Sequence, residues 1–475
     1  MIKLHSLSNY ALFVVILLLF AIQFDKYTYQ GHHESIGNQN IEIIESELPS
    51  KNFTIICHGY AGSKEMMRQL AFDISNAGSN AVIFDFIGHG SNSQKLVNNP
   101  TELSGTTQQL VNQLIVIINF LKTKYGSEIK INLIGHSMAS DIVIRASENQ
   151  NISSIVAISP YSTKVTSNFP KDLLLTSGQF ERHLRKHALK FTQLVDPGAD
   201  ENIEYSNGTI RRKASYTKNT GHVSVIYSPH SGRDIIEWFD LTNYDRSIWT
   251  THIIWILIGL TIITYGLSRL QFSKTEYEEK QRLSSVRLTI VSITSLAIAL
   301  CSSLIDYQVV SIFGFGSVAA YFGLNGLAIL ILCKETRDNS KDFDFYSFLK
   351  LVVAFSFLTI LINYFIGSYS ISSHRLHAFL IMIVPITIIC VAIENLIAIS
   401  SATLAVFIRI MPIIGFSILL AIFPEKYGVM FTTVPIYIFY FLVFGYIGKI
   451  QRNRIGSYTT GATNGIFLTF AFAAT

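Results

Sequence analysis

The sequence predicts two architectures in one chain: an α/β domain with a mainly parallel sheet and helices on both faces, and an all-α polytopic membrane domain. Three observations predict this. The 475 residues are 49% hydrophobic and only 15% charged, with a mean hydropathy of +0.37, a balance that puts part of the chain in lipid. Long uncharged runs fill the second half, whereas residues 31–243 read as water-soluble sequence. Within that polar region, short β-branched runs alternate with longer helical patterns, the mark of βαβ units.

Residues 1–24 are expected to form an N-terminal membrane anchor. The run 11–22 is apolar without interruption and follows Lys3. No small-x-small cleavage site comes after it, only Gln23, Phe24, Asp25 and Lys26, which favours an uncleaved anchor over a cleaved signal. Residues 25–40, polar and containing Gly31 and Gly37, read as a linker. The α/β domain is expected over 41–243, with strands at 41–47, 53–57, 81–86, 129–134, 155–158, 173–176 and 212–216. Helices are expected at 64–76, 106–124, 138–146, 180–190 and 233–240.

From 249 to 475 the sequence predicts about seven transmembrane helices, since a bilayer core needs about 20 mainly apolar residues as a helix. The runs are 249–267, 288–304, 309–333, 348–367, 378–399, 402–423 and 429–448. The last residues, 466–475, are apolar but too short to span. With the N-terminus cytoplasmic, Lys and Arg should concentrate in alternate loops. Arg269, Lys274, Lys280, Arg282, Arg287, Lys334, Arg337, Lys341, Lys350, Lys449, Arg452 and Arg454 fall on one side, against Arg375 and Lys426 on the other. This bias places the protein in the cytoplasmic (inner) membrane with its α/β domain on the extracytoplasmic side. The net charge of +5 therefore reflects topology, and no nucleic acid partner is implied. Glu394 and Arg409, on successive spans joined by a short turn, lie at comparable depth and could pair. Such a pair is a functional candidate, against a structural hairpin lock or an arginine reaching to the interface. Cys57 stands alone in the polar region, so that domain has no disulfide framework.

The run Ile131-Asn132-Leu133-Ile134-Gly135-His136-Ser137-Met138-Ala139-Ser140 sets a serine between an apolar strand and a helix, the context of a nucleophile elbow. Gly135 and Ala139 are small, as crossing backbones there require, and the helix N-terminus favours negative charge at Ser137. Upstream, a strand ends in His58-Gly59-Tyr60-Ala61-Gly62-Ser63. Two N–H donors are needed for a tetrahedral oxyanion, and the natural pair is the backbone N–H of Met138 and that of Tyr60. A third loop, Asp85-Phe86-Ile87-Gly88-His89-Gly90-Ser91, also follows a strand.

Together these three loops resemble the α/β-hydrolase superfamily, with its serine esterase and lipase-like members, over roughly residues 41–241. Ser91 directly after Gly90 makes the third motif one residue shorter than the family's. The resemblance implies a triad in the chain order serine, acid, histidine. Glu181, after the strand at 173–176, stands where many members carry Asp, with Asp172 and Asp200 as weaker alternatives. His222, after Asn219-Thr220-Gly221, matches the family's Gly-His loop, with His230 as competitor. His58, His89 and His136 read as loop-shaping residues and His32-His33 as solvated. No spacing suggests a zinc site, and no cofactor is implied.

The expected chemistry is acyl transfer: His222 deprotonates Ser137, which attacks an ester-type carbonyl, and water releases the acyl group. The expected partners are the lipid bilayer and a small-molecule or lipid ester. The stretch from Pro160 to Leu173 leaves little room for a helical lid, so a bulky or membrane-presented ester fits better than a small soluble one. An acyltransferase on the same site, and an inactive ligand-binding module serving a membrane transporter, are alternatives.

Overall fold

The computed structural model describes residues 31–94, 103–242, 284–301, 315–333, 343–366, 373–423, 427, 440, 448–449 and 451–474. The chain divides into two compact units; residues 31–242 belong to one, and 284–364 with 373–474 to the other.

The first unit is a nine-stranded sheet among the described residues. In chain order the strands are β1 (Gly31–Ile36), β2 (Gln39–Ile44), β3 (Asn52–Cys57), β4 (Asn80–Phe84), β5 (Lys130–His136), β6 (Ser154–Ile158), β7 (Asp172–Gly178), β8 (Glu204–Asn207) and β9 (Ile210–Thr217). Across the sheet the order is β1-β2-β4-β3-β5-β6-β7-β9-β8. From β4 to β9 every pair is parallel, and β1, β2 and β8 join antiparallel. The helices are α1 (Lys64–Asn76), α2 (Gln108–Tyr125), α3 (Met138–Ser147), α4 (Arg182–Gln193) and α5 (Pro229–Trp238), with a π-helical turn at Leu103–Thr107 leading into α2.

Alternation along each strand builds two cores from one sheet. Phe53, Ile55, Val82, Phe84, Ile131, Leu133, Ile155, Leu173 and Leu175 point to the face covered by α2 and α3, with Ala188 of α4. Their neighbours Ile56, Ala81, Ile83, Ile134, Val156, Ile158 and Leu174 point to the opposite face, under α1 and α5. Parallel central strands buried on both faces read as near-continuous apolar runs, which is why these strands were visible in the sequence.

Both sheet edges differ from the expectation. Residues 31–40, read as linker, are β1 and the start of β2, a hairpin closed by Gly37 at φ +61° and Asn38. The polar run His32-His33-Glu34-Ser35 resembles a linker because an edge strand buries little. The second edge strand, β8, is four polar residues closed onto β9 through Gly208 at φ +60°. Both two-residue turns carry the glycine signal of a hairpin.

The second unit contains α6 (Ser285–Cys301), α7 (Phe315–Leu332), α8 (Phe345–Ile366), α9 (Ser373–Ala398), α10 (Ala402–Ile422) and α11 (Ser457–Ala474) among the described residues. Among the described residues two segments are long and apolar enough to cross a membrane, Leu376–Ala398 and Ala402–Ile422. The expected N-terminal anchor and the run at 249–267 lie outside the described residues, as does nearly all of 429–448. Residues 466–474, read as a short tail, are the second half of the 18-residue α11. Ser457, Thr459, Thr460, Gly461, Thr463, Asn464 and Gly465 interrupt its apolar pattern and hid it. Gly461 and Gly465, one turn apart, meet α9 backbone: added Cβ atoms would stand 2.4 Å from Val391 Cα and 2.5 Å from Thr387 Cα. That is small-residue packing as found between membrane helices.

Glu394 pairs with Arg409 at 3.1 Å, as the depth of both residues suggested. Arg452, counted as a loop charge, also lies against Glu394 with a side chain 11% exposed. A sequence count cannot distinguish a solvated cation from one folded back onto a carboxylate.

Candidate active site

The sheet order reverses at β3, which has β4 on one side and β5 on the other. Loops leaving the C-terminal ends of such strands open a crevice, and the loops after β3 and β5 carry the candidate residues. Between β5 and α3 only Ser137 intervenes, at φ 54° and ψ −117°. A non-glycine residue held in such a region costs roughly 1–3 kcal/mol and persists only when its surroundings enforce it. Here the Ser137 N–H donates to the Ile158 carbonyl at 2.8 Å. A Cβ at Gly135 would lie 2.3 Å from the Ala139 carbonyl oxygen, so the turn closes only over glycine.

Ser140, fully buried, supports the turn from below. Its hydroxyl donates to the Ser137 carbonyl at 2.6 Å and accepts from the Tyr161 N–H at 3.0 Å. Fixing that carbonyl fixes the peptide plane, and with it the opposite direction of the Met138 N–H. Neither the Met138 nor the Tyr60 N–H donates to a protein group among the described residues. The loop holding Tyr60 is tied at Gly59, whose carbonyl accepts from His58 Nδ1 at 2.8 Å, while His58 Nε2 accepts from the Phe86 N–H at 3.0 Å. Burial lowers the His58 pKa, which keeps the ring neutral and able to do both.

The loop after β4 is locked on Asp85. Its carboxylate accepts from the Lys64 N–H at 2.7 Å and from the Ser91 N–H and hydroxyl at 2.9 and 2.7 Å. The shortened motif thus lets Ser91 reach Asp85 directly after the turn at Gly90.

His222 joins the outer two groups. Its Nε2 is 2.9 Å from Ser137 Oγ and its Nδ1 is 2.6 Å from Glu181 Oε1. Glu181 Oε2 accepts from the Gly178 N–H at 2.6 Å and from the Ser159 hydroxyl at 2.8 Å. Burial acts to raise the Glu181 pKa, but the bonds from His222, Gly178 and Ser159 outweigh it and hold the carboxyl below its ordinary value. His136 is buried, and burial with the adjacent His222 pushes its pKa down to about 4. Its Nε2 donates to the His222 carbonyl at 2.9 Å. The structure therefore brings Ser137, His222 and Glu181 into one hydrogen-bonded chain, beside Met138. Asp172, the alternative acid, instead pairs with Arg211 at 2.7 Å.

Sequence reading missed the supports: Ser140, Ser159 and the His136 bond to the His222 backbone. Ser159 follows β6 directly and, at φ 52°, turns back toward Glu181, a role visible only once β6 and β7 are neighbours. Among the described residues no group of three or more His, Cys, Asp or Glu is gathered as a metal ion would need.

Residues 49–209 match the protein family described as "Serine aminopeptidase, S33". The domain has the α/β-hydrolase fold. The family match to this α/β-hydrolase domain ends short of His222. No curated protein matches the chain significantly. Among solved structures, a soluble variant of monoglyceride lipase from Saccharomyces cerevisiae is 13% identical, over 44% of this chain and 94% of that one, at a TM-score of 0.34. Dienelactone hydrolase from Anabaena variabilis is 12% identical over 45% and 98%, at 0.32. An α/β serine hydrolase without lid from Xanthomonas campestris is 12% identical over 44% and 91%, at 0.33.

Proposed function

We propose that this protein is a membrane-anchored serine hydrolase that cleaves a carboxylic ester with an apolar acyl group. The observation that carries the reading is the continuous path from Ser137 Oγ through His222 to Glu181 on a strained turn. His222 takes the serine proton as Oγ attacks the carbonyl, and Glu181 stabilises the resulting imidazolium. The Met138 and Tyr60 N–H groups receive the oxyanion. The proton passes from His222 to the leaving alcohol, and water then repeats the sequence to release the acid.

Three exposed apolar side chains adjoin the site residues in sequence and support an acyl substrate. Phe180 precedes Glu181 and is 69% exposed, Val223 follows His222 at 44%, and Tyr161 adjoins the Ser140 support at 59%. The Phe180 N–H is bonded to the Thr220 carbonyl at 3.1 Å, which ties the first of these to the His222 loop. An aminopeptidase must instead hold a substrate ammonium, and α4, which begins at the triad acid, carries Arg182, Arg185, Lys186 and Lys190 with no acidic residue. Arg185 is paired with Glu201, and the remaining cations disfavour an ammonium and favour the ester. Residues 159–171 contain no helix, so no helical lid arises there. The Lys and Arg bias between apolar runs, still eleven to two without Arg452, supports an extracytoplasmic site.

A fluorophosphonate serine probe applied to membranes holding the full chain tests the proposal. Wild type is expected to label, and Ser137→Ala and His222→Ala are expected not to. Unlabelled wild-type protein with normal thermal unfolding would instead support a binding module. Transfer of the acyl group to an added alcohol in preference to water would support an acyltransferase.

A further inference from the structure

The helical unit contains a second charged cluster that ester hydrolysis does not use. Glu394, 3% exposed near the C-terminal end of α9, accepts from Arg409 Nη2 at 3.1 Å and from Arg452 Nη1. The two arginine side chains are 13% and 11% exposed. Two cations therefore face one carboxylate, and among the described residues neither guanidinium has another acidic partner. An uncompensated charge away from water is costly, and more so in a membrane helix. A guanidinium has five N–H donors, and each of these uses few of them on Glu394.

Gly448 packs directly against the cluster, where a side chain would be crowded. A Cβ at Gly448 would stand 3.1 Å from Glu394 Oε1, 3.3 Å from Arg409 Nη2 and 3.3 Å from Arg452 Nη1. All three charged ends thus converge on bare backbone. Next to Arg452, Gln451 is 1% exposed, and among the described residues neither its Oε1 nor its Nε2 has a hydrogen-bond partner.

We propose that Arg409 and Arg452, held apart by Glu394, form a binding site for a phosphodiester monoanion, the headgroup chemistry of a phospholipid. One negative charge makes the cluster neutral. Two non-bridging oxygens offer one acceptor edge to each guanidinium, the geometry at which arginine excels. Glu394 lies four residues before the end of α9 and Arg409 seven after the start of α10, about 6–10 Å from the helix ends at about 1.5 Å per residue. With those helix ends at the bilayer surface, this distance corresponds to the boundary between headgroups and acyl chains. Free phosphate shares the chemistry and is the other source.

The test uses the full-length protein in nanodiscs with and without phosphatidylglycerol, then released into detergent for native mass spectrometry. A parallel arm titrates inorganic phosphate. Wild type is expected to retain phosphatidylglycerol, and Arg452→Gln to lower retention roughly tenfold, an effect the size of one charge-assisted hydrogen bond. Glu394→Gln is expected to raise retention, because it removes the competing carboxylate. Binding of inorganic phosphate that Arg452→Gln abolishes would support the anion site with the free ion as occupant. A structural lock predicts otherwise: both variants unfold at lower temperature while the folded fraction retains lipid equally, and that result overturns the proposal. Arg409→Lys, which keeps the charge but loses the two-pronged donor, guards against a folding failure and is expected to fall between. Displacement of the lipid by oleate but not by phosphate would also overturn the phosphodiester assignment.

Discussion

Ser140 and Ser159 never touch a substrate, yet each fixes an atom on which the proposed reaction depends. With Ser140→Ala the Ser137 carbonyl loses a hydrogen bond of 2.6 Å, and the Met138 N–H loses its fixed direction. Turnover is expected to fall about 5-fold with KM little changed, since one neutral hydrogen bond is worth about 1 kcal/mol; steady-state kinetics on a nitrophenyl ester checks this. Glu181→Gln removes the acceptor charge that stabilises the imidazolium and is expected to lower turnover by about 10³–10⁴. Glu181→Asp should recover only part of it, because the shorter side chain cannot reach His222 Nδ1 and Ser159 together.

Between elements, charged contacts tie α1 and α4 to the sheet. Glu42 of β2, buried, receives Arg68 Nη2 at 2.8 Å and Lys64 Nζ at 3.0 Å. Burial opposes its ionisation, but the two cations prevail and hold its pKa at about 2. A folded-state value depressed below that of the unfolded chain contributes stability in full above about pH 4.5, and that stability is lost as the pH falls toward 2. The contribution is on the order of 3 kcal/mol. Urea unfolding at pH 6 and pH 3 is expected to show this loss in wild type, and Glu42→Gln should flatten it. Arg212 of β9, fully buried, donates to the carbonyls of Phe191, Phe169 and Pro170. It joins the C-terminal end of α4 to the irregular loop before β7. Arg212→Met leaves those carbonyls unsatisfied and is expected to cost about 3 kcal/mol or more, read as a lowered unfolding temperature.

For the whole molecule, the proposal of an extracytoplasmic hydrolase rests on charge distribution and is open to direct measurement. Lys186 is exposed on α4, and Lys186→Cys should react with a membrane-impermeant maleimide on intact cells. Reaction only after lysis would reverse the topology. Packing within the helical unit depends on the contact of Gly461 and Gly465 with α9. Gly461→Leu would drive a side chain into Val391 Cα and is expected to lower the unfolding temperature by several degrees in detergent, while probe labelling of Ser137 persists.

Local pattern was enough to place the elements near the site. Runs such as Phe53 to Cys57 and Ile131 to Ile134 are buried on both faces, so their composition alone marks them, and α1 appears over the expected residues 64–76. Ser137, Glu181 and His222 could likewise be picked out, because each sits on a short turn just after a strand. Edge strands β1 and β8 were overlooked for the opposite reason: they bury little, and only the glycine turns at 37–38 and 208–209 mark their pairing with the next strand. The small and polar residues of α11 read as an interruption until α9 lay against them. Contacts between loops 40 to 90 residues apart, such as His222 with Glu181 and with Ser137, form only when parallel strands bring their C-terminal ends together. Arg452 reached Glu394 in the same way, across 58 residues, and a carboxylate's number of partners is a property of three-dimensional packing that no linear spacing encodes.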